Sequence, residues 1–409
     1  MPANSPICIL PSEALDLDAL ASSLLFAELW QSLPFAASPA KLPDDSQTNA
    51  ISDSAKLQEL YRHYQAHPLH CLLPLKEPQE LLWRKDIAYL LQFLGQRYRT
   101  GDELETLNHL FVRASQKAPD FTCAFTGEAE GWVLLDRHHL PLDWPQDLTV
   151  LAIWDHRPDS GALRHTRLRR IQAASSCTSL LLDCAIQLGL FSRLSEAALI
   201  LAMATLHLDQ KGRLLDWEQP IWQSLDGALR RQISPLEPEE LHAKVLQERH
   251  NPLGISLFEQ VNTDVKIAPF TSGSLPIHVA VAVVPAGLCA LQELCEDGTL
   301  AAFTGACLER LEADFLILLH RRSAQNEKRS LSFLFCSDRF VWNLRKINFF
   351  LLRLEALYPG QTIYYGKTKG PPAVIPALVQ WEQTDQSMSR KNFMPAFRHS
   401  FTELLNFES

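Results

Sequence analysis

Acidic and imidazole side chains recur just downstream of apolar, strand-like runs in the first half of this 409-residue chain. Asp16 and Asp18 follow PICIL (Pro6–Leu10), Asp136 follows GWVLL, Asp155 and His156 follow LTVLAIW, and His207 and Asp209 close AALILAMATLHLD. Carboxylates and an imidazole delivered to one edge by several segments are what a divalent-cation site requires. Hard oxygen donors with one imidazole suit manganese, magnesium or cobalt better than a thiolate-seeking metal. Asp16 and Asp18, two residues apart, do not share a helix face, but on an extended segment they converge on neighbouring ions. Each residue alone has a plainer reading. An aspartate after a strand is more often a helix cap or turn residue, and Asp16 and Asp18 suit a helix starting near Ala19. A lone His156 is more often a hydrogen-bonded structural group than a ligand. Repetition at the ends of strands is what favours the site.

A second set of chemically capable residues lies near the C-terminus, in QSMSRKNFMPAF. Arg390 offers a bidentate fork and Lys391 a point charge, both suited to phosphoryl oxygens, and a helix N-terminus there would add N–H donors. The plainer alternative is a solvated basic helix start.

These residues need elements to position them. Pro6–Leu10, His70–Leu75, Gly131–Leu135 and Leu148–Trp154 read as strands; Leu20–Leu33, Pro78–Leu94, Cys177–Leu190 and Ser195–His207 read as helices. This alternation predicts an α/β fold whose N-terminal domain holds a mostly parallel sheet flanked by helices. Ligands of such open sheets bind outside the carboxyl ends of the strands, where the acidic residues fall. Ser38–Ala55, rich in Pro, Ser, Asp and Asn, reads as a surface loop. Ser234–Asn251 reads as a helix plus linker. Ile277–Val284, Asp314–Leu319 and Ser330–Cys336 begin a new, mixed sheet in a smaller C-terminal α/β domain. The length also favours two domains. Their expected bounds are 1–235 for the acidic domain, 236–262 for a linker helix region and 263–409 for the basic one.

Composition narrows the function further. The net charge of −9 argues against a general nucleic-acid binder, which needs a basic face. The first 40 residues carry no Lys or Arg, so they do not read as a secretory signal. The longest apolar candidate, Ile277–Leu291, includes a His and a Pro and is too short to span a bilayer. Nine scattered cysteines with no CxxC pair suit reduced thiols. A cytoplasmic protein with no membrane partner is expected, and the oligomeric state is open.

With these residues in view, the chain resembles the DHH phosphoesterase superfamily. It is most similar to the branch of family II inorganic pyrophosphatases, fungal-type exopolyphosphatases and prune proteins, nearest the exopolyphosphatase and prune type. The first motif of that branch, a metal ligand followed by Asp-x-Asp, corresponds to Ser12-Glu13-Ala14-Leu15-Asp16-Leu17-Asp18. The second is a strand ending in Asp136. The third, Asp-His-His, reads Asp155-His156-Arg157-Pro158, the form seen in prune proteins. A Gly-Ser-Cys-like segment corresponds to Ser175–Ser179, and the fourth motif ends in Asp209. In the C-terminal half, Lys266 and Ser389-Arg390-Lys391 match the branch's lysine and Ser-Arg-Lys motif.

The resemblance implies two divalent ions, manganese, magnesium or cobalt. Asp18, Asp136, His156 and Asp209 would hold one. Asp16 and a bridging Asp136 would hold the other, with the residue at position 12. There the pyrophosphatases have His and the exopolyphosphatase and prune types Asn; this chain has Ser12, a neutral and weak ligand. Arg157 stands where a second His contacts phosphate, and it keeps the charge but cannot usefully give up a proton. The implied activity is hydrolysis of phosphoanhydride bonds in pyrophosphate or short polyphosphate by a metal-activated water. Arg157, Lys266, Arg390 and Lys391 would bind phosphate, and His138 is a candidate proton donor. Two alternatives stay open: a nucleotide phosphodiesterase of the same superfamily, and a catalytically weakened binding homologue.

Overall fold

The computed structural model describes residues 5–12, 15–36, 53–72, 80–115, 129–141, 144–210, 214–232, 238–249, 251, 253–263, 265–272, 275–284, 291, 293–294, 297–323, 326–335, 344–357, 363–365, 377–382 and 390–406. The chain forms two compact units, residues 1–250 and 251–409.

The first unit is an α/β layer structure. Strands β1 (Ile7–Leu10), β2 (Leu69–Cys71), β3 (Gly131–Leu135), β4 (Val150–Asp155) and β5 (Leu168–Ile171) form one sheet in the order β2-β1-β3-β4-β5. Every neighbouring pair is parallel. β3 and β4 are buried along their whole length, which explains why GWVLL and VLAIW are continuously apolar rather than alternating. Side chains still divide between two faces with the period of two that a strand imposes. Ile7, Ile9, Val133, Leu135, Ala152 and Trp154 enter the larger core. Leu10, Trp132, Leu134 and Ile153 enter a smaller one with Leu72 and Leu140.

Helices α1 (Leu17–Ser32), α2 (Asp53–Tyr64), α3 (Glu80–Trp83), α4 (Lys85–Tyr98), α5 (Glu103–Ser115), α6 (Cys177–Gln187), α7 (Glu196–Gln210), α8 (Gln219–Gln232) and α9 (Pro238–Arg249) complete the unit. α1, α6 and α7 pack on one another. Their sequences are apolar nearly all round because they are buried nearly all round. β1 connects outward to β2 on one side, and β3 lies on its other side. The strand order therefore reverses between β1 and β3, and the crevice outside their carboxyl ends is where such sheets bind ligands.

Several expected boundaries move. The helix read as Pro78–Leu94 is two helices, α3 and α4, and residues 73–79, which include the end of the expected strand His70–Leu75, lie outside the described residues. Of the expected loop Ser38–Ala55, residues 53–55 belong to α2 and 38–52 lie outside the described residues. The stretch 236–262 holds two helices that fall in different units. α9 packs on α4 and α7 of the first unit, whereas α10 (Leu257–Thr263) belongs to the second. β5 was not anticipated from LRRI. Its Arg170 is buried because Asp183 on α6 accepts from Nη2 at 2.6 Å.

The second unit carries a mixed six-stranded sheet of β6 (Val265–Ser272), β7 (Leu275–Val284), β8 (Phe315–Ser323), β9 (Asn326–Phe335), β10 (Ile363–Tyr365) and β11 (Ala377–Glu382), in the order β10-β11-β9-β8-β7-β6. β7 and β8 are parallel and the other pairs antiparallel. On one face Val279, Val281, Phe315 and Ile317 pack with Phe350, Phe397 and Phe401. On the other, Ala280, Ala282, Leu316 and Leu318 pack with Leu300 and Cys307. No helix of the described residues is long and apolar enough to cross a membrane. Cys8, Cys71, Cys177, Cys184 and Cys307 are free thiols.

Candidate metal centre

Asp136 stands at the middle of the site. β3 ends at Leu135, and the chain turns through Asp136 with φ of 54°, the left-handed region that costs a side-chain-bearing residue about 1–2 kcal/mol. Its backbone N–H donates to the Trp154 carbonyl at 2.9 Å, which fixes the turn to β4. The carboxylate is buried, at 1% exposure. Its two oxygens have different surroundings. Oδ2 accepts from Arg157 Nη2 at 2.9 Å. Oδ1 lies 3.3 Å from His156 Nε2 without hydrogen-bond alignment, and has no hydrogen-bond partner among the described residues.

His156 follows β4 directly. Its Nδ1 donates to the Ala174 carbonyl at 3.2 Å, which turns Nε2 toward Asp136. A backbone carbonyl holding one ring nitrogen so that the other faces in is the usual setting of a metal-binding histidine. Asp18 reaches the same point from the first turn of α1. Its Oδ2 accepts from Cys177 N (2.8 Å), and its Oδ1 accepts from Thr178 N (2.9 Å) and Thr178 Oγ1 (2.7 Å). The N-terminus of α6 thus orients this carboxylate with the donors that a helix start leaves unpaired. Ser176 caps the same helix, accepting from Ser179 N. The segment Ser175–Ser179 is therefore part of the site, as the element that aims Asp18. One donor atom each of Asp18, Asp136 and His156 lies within 4.8 Å of the others.

Asp16 has a double character. It is the N-cap of α1, with Oδ1 accepting from Ala19 N at 3.0 Å, so the plain capping reading holds for it. Burial, followed by the charge of Asp136, also raises its carboxyl above the ordinary range. Asp209 lies near the end of α7. It touches solvent, yet protein crowds it enough that burial, with Asp16, pushes its pKa up to about 7. Burial and the charges of Asp136 and Asp209 raise Asp18 well above its normal value. For Asp136 burial acts upward too, but His156 and Arg157 outweigh it and hold the group low. His156 would be lowered by burial, but Asp136 and Asp18 push it up to about 9. Arg157, Arg84 and Arg249 act on these carboxylates from their edges, yet beyond burial Asp136 and Asp209 still raise Asp18, a repulsion that a divalent cation would relieve. The oxygen-rich donor set, the orphaned Oδ1 and the inward Nε2 fit such an ion.

The other expected site residues take varied places. Ser12 lies half-buried between β1 and α1. Arg157 is bound tightly to acids rather than held out for substrate. Besides Oδ2 of Asp136 it donates to the Asp136 carbonyl through Nη1, and the same nitrogen lies 3.2 Å from Asp155 Oδ1. His138 has both ring nitrogens engaged: Nδ1 donates to Asp155 Oδ2 at 2.5 Å, and Nε2 accepts from Ser160 N at 3.4 Å. Lys266 is on β6, exposed, and Arg390 and Lys391 open the helix Arg390–Asn406, all three in the second unit. Ser389 lies outside the described residues.

Asp155 is the residue whose role the sequence reading missed. It is fully buried, and it ties His138, the Arg157 guanidinium and the Arg157 backbone N–H (3.1 Å) together beneath the site. The signal was visible as an acid at the very end of an apolar strand, where an ion pair is required for burial.

No family model matches the sequence, and no curated protein does. Among solved structures, the chain is similar to a putative family II inorganic pyrophosphatase from Methanococcus jannaschii at 11% identity, with a TM-score of 0.48, over 97% of this chain and 99% of that one. It is also similar to CDC45 from Entamoeba histolytica at 8% identity, with a TM-score of 0.26, over 97% of this chain and 95% of the other.

Proposed function

We infer that the chain is a metal-dependent phosphohydrolase acting on phosphoanhydride bonds, with pyrophosphate or short inorganic polyphosphate as substrate. The observation that carries this reading is the convergence of one donor atom each of Asp18, Asp136 and His156 to within 4.8 Å at the carboxyl end of the parallel sheet. The residue types there select a hard divalent ion, manganese, magnesium or cobalt. Asp209 and Asp16 stand close enough to shape the charge of the same centre. Bound there, such an ion supplies Lewis acidity and lowers the pKa of water from about 15.7 toward about 7.

The chain's own residues do the rest. Thr178 and the N–H groups of α6 hold Asp18 in its rotamer, and the Ala174 carbonyl keeps the Nδ1 proton on His156, so that Nε2 is the nitrogen that gives up its proton to an ion. Arg157 places a fixed positive charge beside Asp136, where phosphoryl oxygens would gather negative charge. Lys266, Arg390 and Lys391 are the further cations for phosphate, by the resemblance set out above. The test is phosphate release from pyrophosphate, tripolyphosphate and a dinucleotide by metal-stripped protein resupplied with manganese or magnesium. Release from the anhydrides, abolished in Asp136→Asn, is the expected result. A rate unchanged by Asp136→Asn would overturn the reading. Release from the dinucleotide alone would replace it with the phosphodiesterase.

A further inference from the structure

Asp136 has two oxygens, and the site treats them differently. A carboxylate that bridges two ions gives one oxygen to each, with the ions about 3.5–4 Å apart. Here Oδ1 is open, facing His156. Oδ2 is occupied by Arg157, whose guanidinium is anchored at the same time to the Asp136 carbonyl and to Asp155. The ligands for an ion on that flank are also thin. Asp16 spends Oδ1 on the α1 N-terminus, and at the position where the resemblance implies a further ligand this chain has Ser12, a neutral hydroxyl. A guanidinium stays charged at any working pH, so it is a permanent cation.

We propose that this centre takes one divalent ion, on Asp18, Asp136 Oδ1 and His156, and that Arg157 supplies on the Oδ2 flank the positive charge that a second ion would otherwise bring. This rests on the metal-centre reading above and departs from the two-ion site that the resemblance implies. The exchange has a physical consequence. A second ion can be removed by a chelator, whereas Arg157 cannot, so metal binding follows a single-site isotherm and the Arg157 charge is retained in the stripped protein.

The test counts ions without reference to activity. Manganese is titrated into the stripped protein by calorimetry, and the saturated sample is examined by electron paramagnetic resonance. One ion per chain with an isolated manganese spectrum is expected; two ions with a spin-coupled spectrum would overturn the proposal and leave the hydrolase reading standing. No binding at all would overturn both. Two variants locate the cause. Ser12→His, with Arg157 still in place, stays at one ion, and a count of two in that variant would show that Arg157 is not what excludes the second. Ser12→His with Arg157→His frees Oδ2 and rises to two ions with a coupled spectrum. A folded double variant that stays at one, with the same isolated spectrum, would also count against the proposal. Should that double variant fail to fold, the counts in the parent and in Ser12→His decide the matter.

Discussion

His156 and His207 are both withdrawn from water in the first unit, and they titrate in opposite directions. Burial acts to lower each of them. Beside His156 stand Asp136 and Asp18, which reverse the effect and carry the imidazole up to about 9. Beside His207 stand the rings of Trp222, at 4.6 Å, and His242, at 4.7 Å, so burial and the neighbouring imidazole carry it down to about 4. Its Nε2 and the Nδ1 of His242 are buried with no hydrogen-bond partner among the described residues. One histidine belongs to a centre that concentrates charge and the other to a contact that keeps it neutral. Two residues beyond His207 on the same helix, Asp209 responds to the charges of Asp16, His156 and Asp136. Residue type alone therefore says little about role; the company of carboxylates decides.

The sharpest way to break this contrast is to remove the charge that defines the first region. Asp136→Asn is expected to lower phosphate release by on the order of 10²–10³, the range for losing one preorganised electrostatic group, while His207→Phe stays within a few-fold of the parent. Comparable losses in both would mean that the two histidines do not mark different kinds of region. A smaller effect is expected from Thr178→Val, which removes the hydroxyl donor to Asp18 but leaves the α6 N–H groups. Manganese affinity by calorimetry should fall by about 10–100-fold, the usual consequence of freeing a ligand from the group that orients it; an unchanged affinity would show that the backbone donors suffice.

The pH dependence of stability separates the two histidines next. In metal-free protein, the raised pKa of His156 contributes stability that is complete below its ordinary value of 6.5 and is lost as pH rises through about 9. The lowered pKa of His207 works the other way. Above 6.5 it contributes nothing to the pH dependence, and as pH falls from 6.5 toward about 4 the unfolded chain takes up the proton first, so stability falls. Melting temperatures with chelator across that range should show His156→Gln losing the alkaline decline and His207→Phe losing part of the acid one, each by a few degrees. Acid limbs that run parallel in His207→Phe and the parent would refute the neutral contact. The smallest effect expected is in the second unit. Arg390→Ala should raise KM by about tenfold, equivalent to one charge-assisted hydrogen bond of about 1.5 kcal/mol, with the manganese count unchanged. A changed count would tie that residue to the metal instead of to phosphate.

Much of the first unit was legible because parallel strands carry their information in composition and in direction. GWVLL and LTVLAIW are continuously apolar because both faces of their sheet are covered, and parallel strands all end at the same edge. Groups placed after those strands are gathered at one edge whatever the strand order, so the proximity of Asp18, Asp136 and His156 follows from position alone. The strand LRRI escaped because its buried Arg170 reads as polar until Asp183 is seen beside it. The linker escaped because α9 is largely polar, with Leu241 and Val245 its buried apolar residues, and only contact with α4 and α7 shows which unit owns it.

The sequence by itself supplied the groups that gather there: Asp18, Asp136, His156 and the arginine after the histidine. Only the tertiary structure decided how each is spent. Asp18 meets donors 159 and 160 positions away on α6. His156 is turned by a carbonyl at position 174, and Arg157 folds back onto Asp136 and Asp155. Such choices depend on side-chain direction, and that direction follows from a left-handed turn at Asp136 and from partners distant in the chain, neither of which spacing along the chain encodes. The open flank and the occupied flank of a single carboxylate are the result.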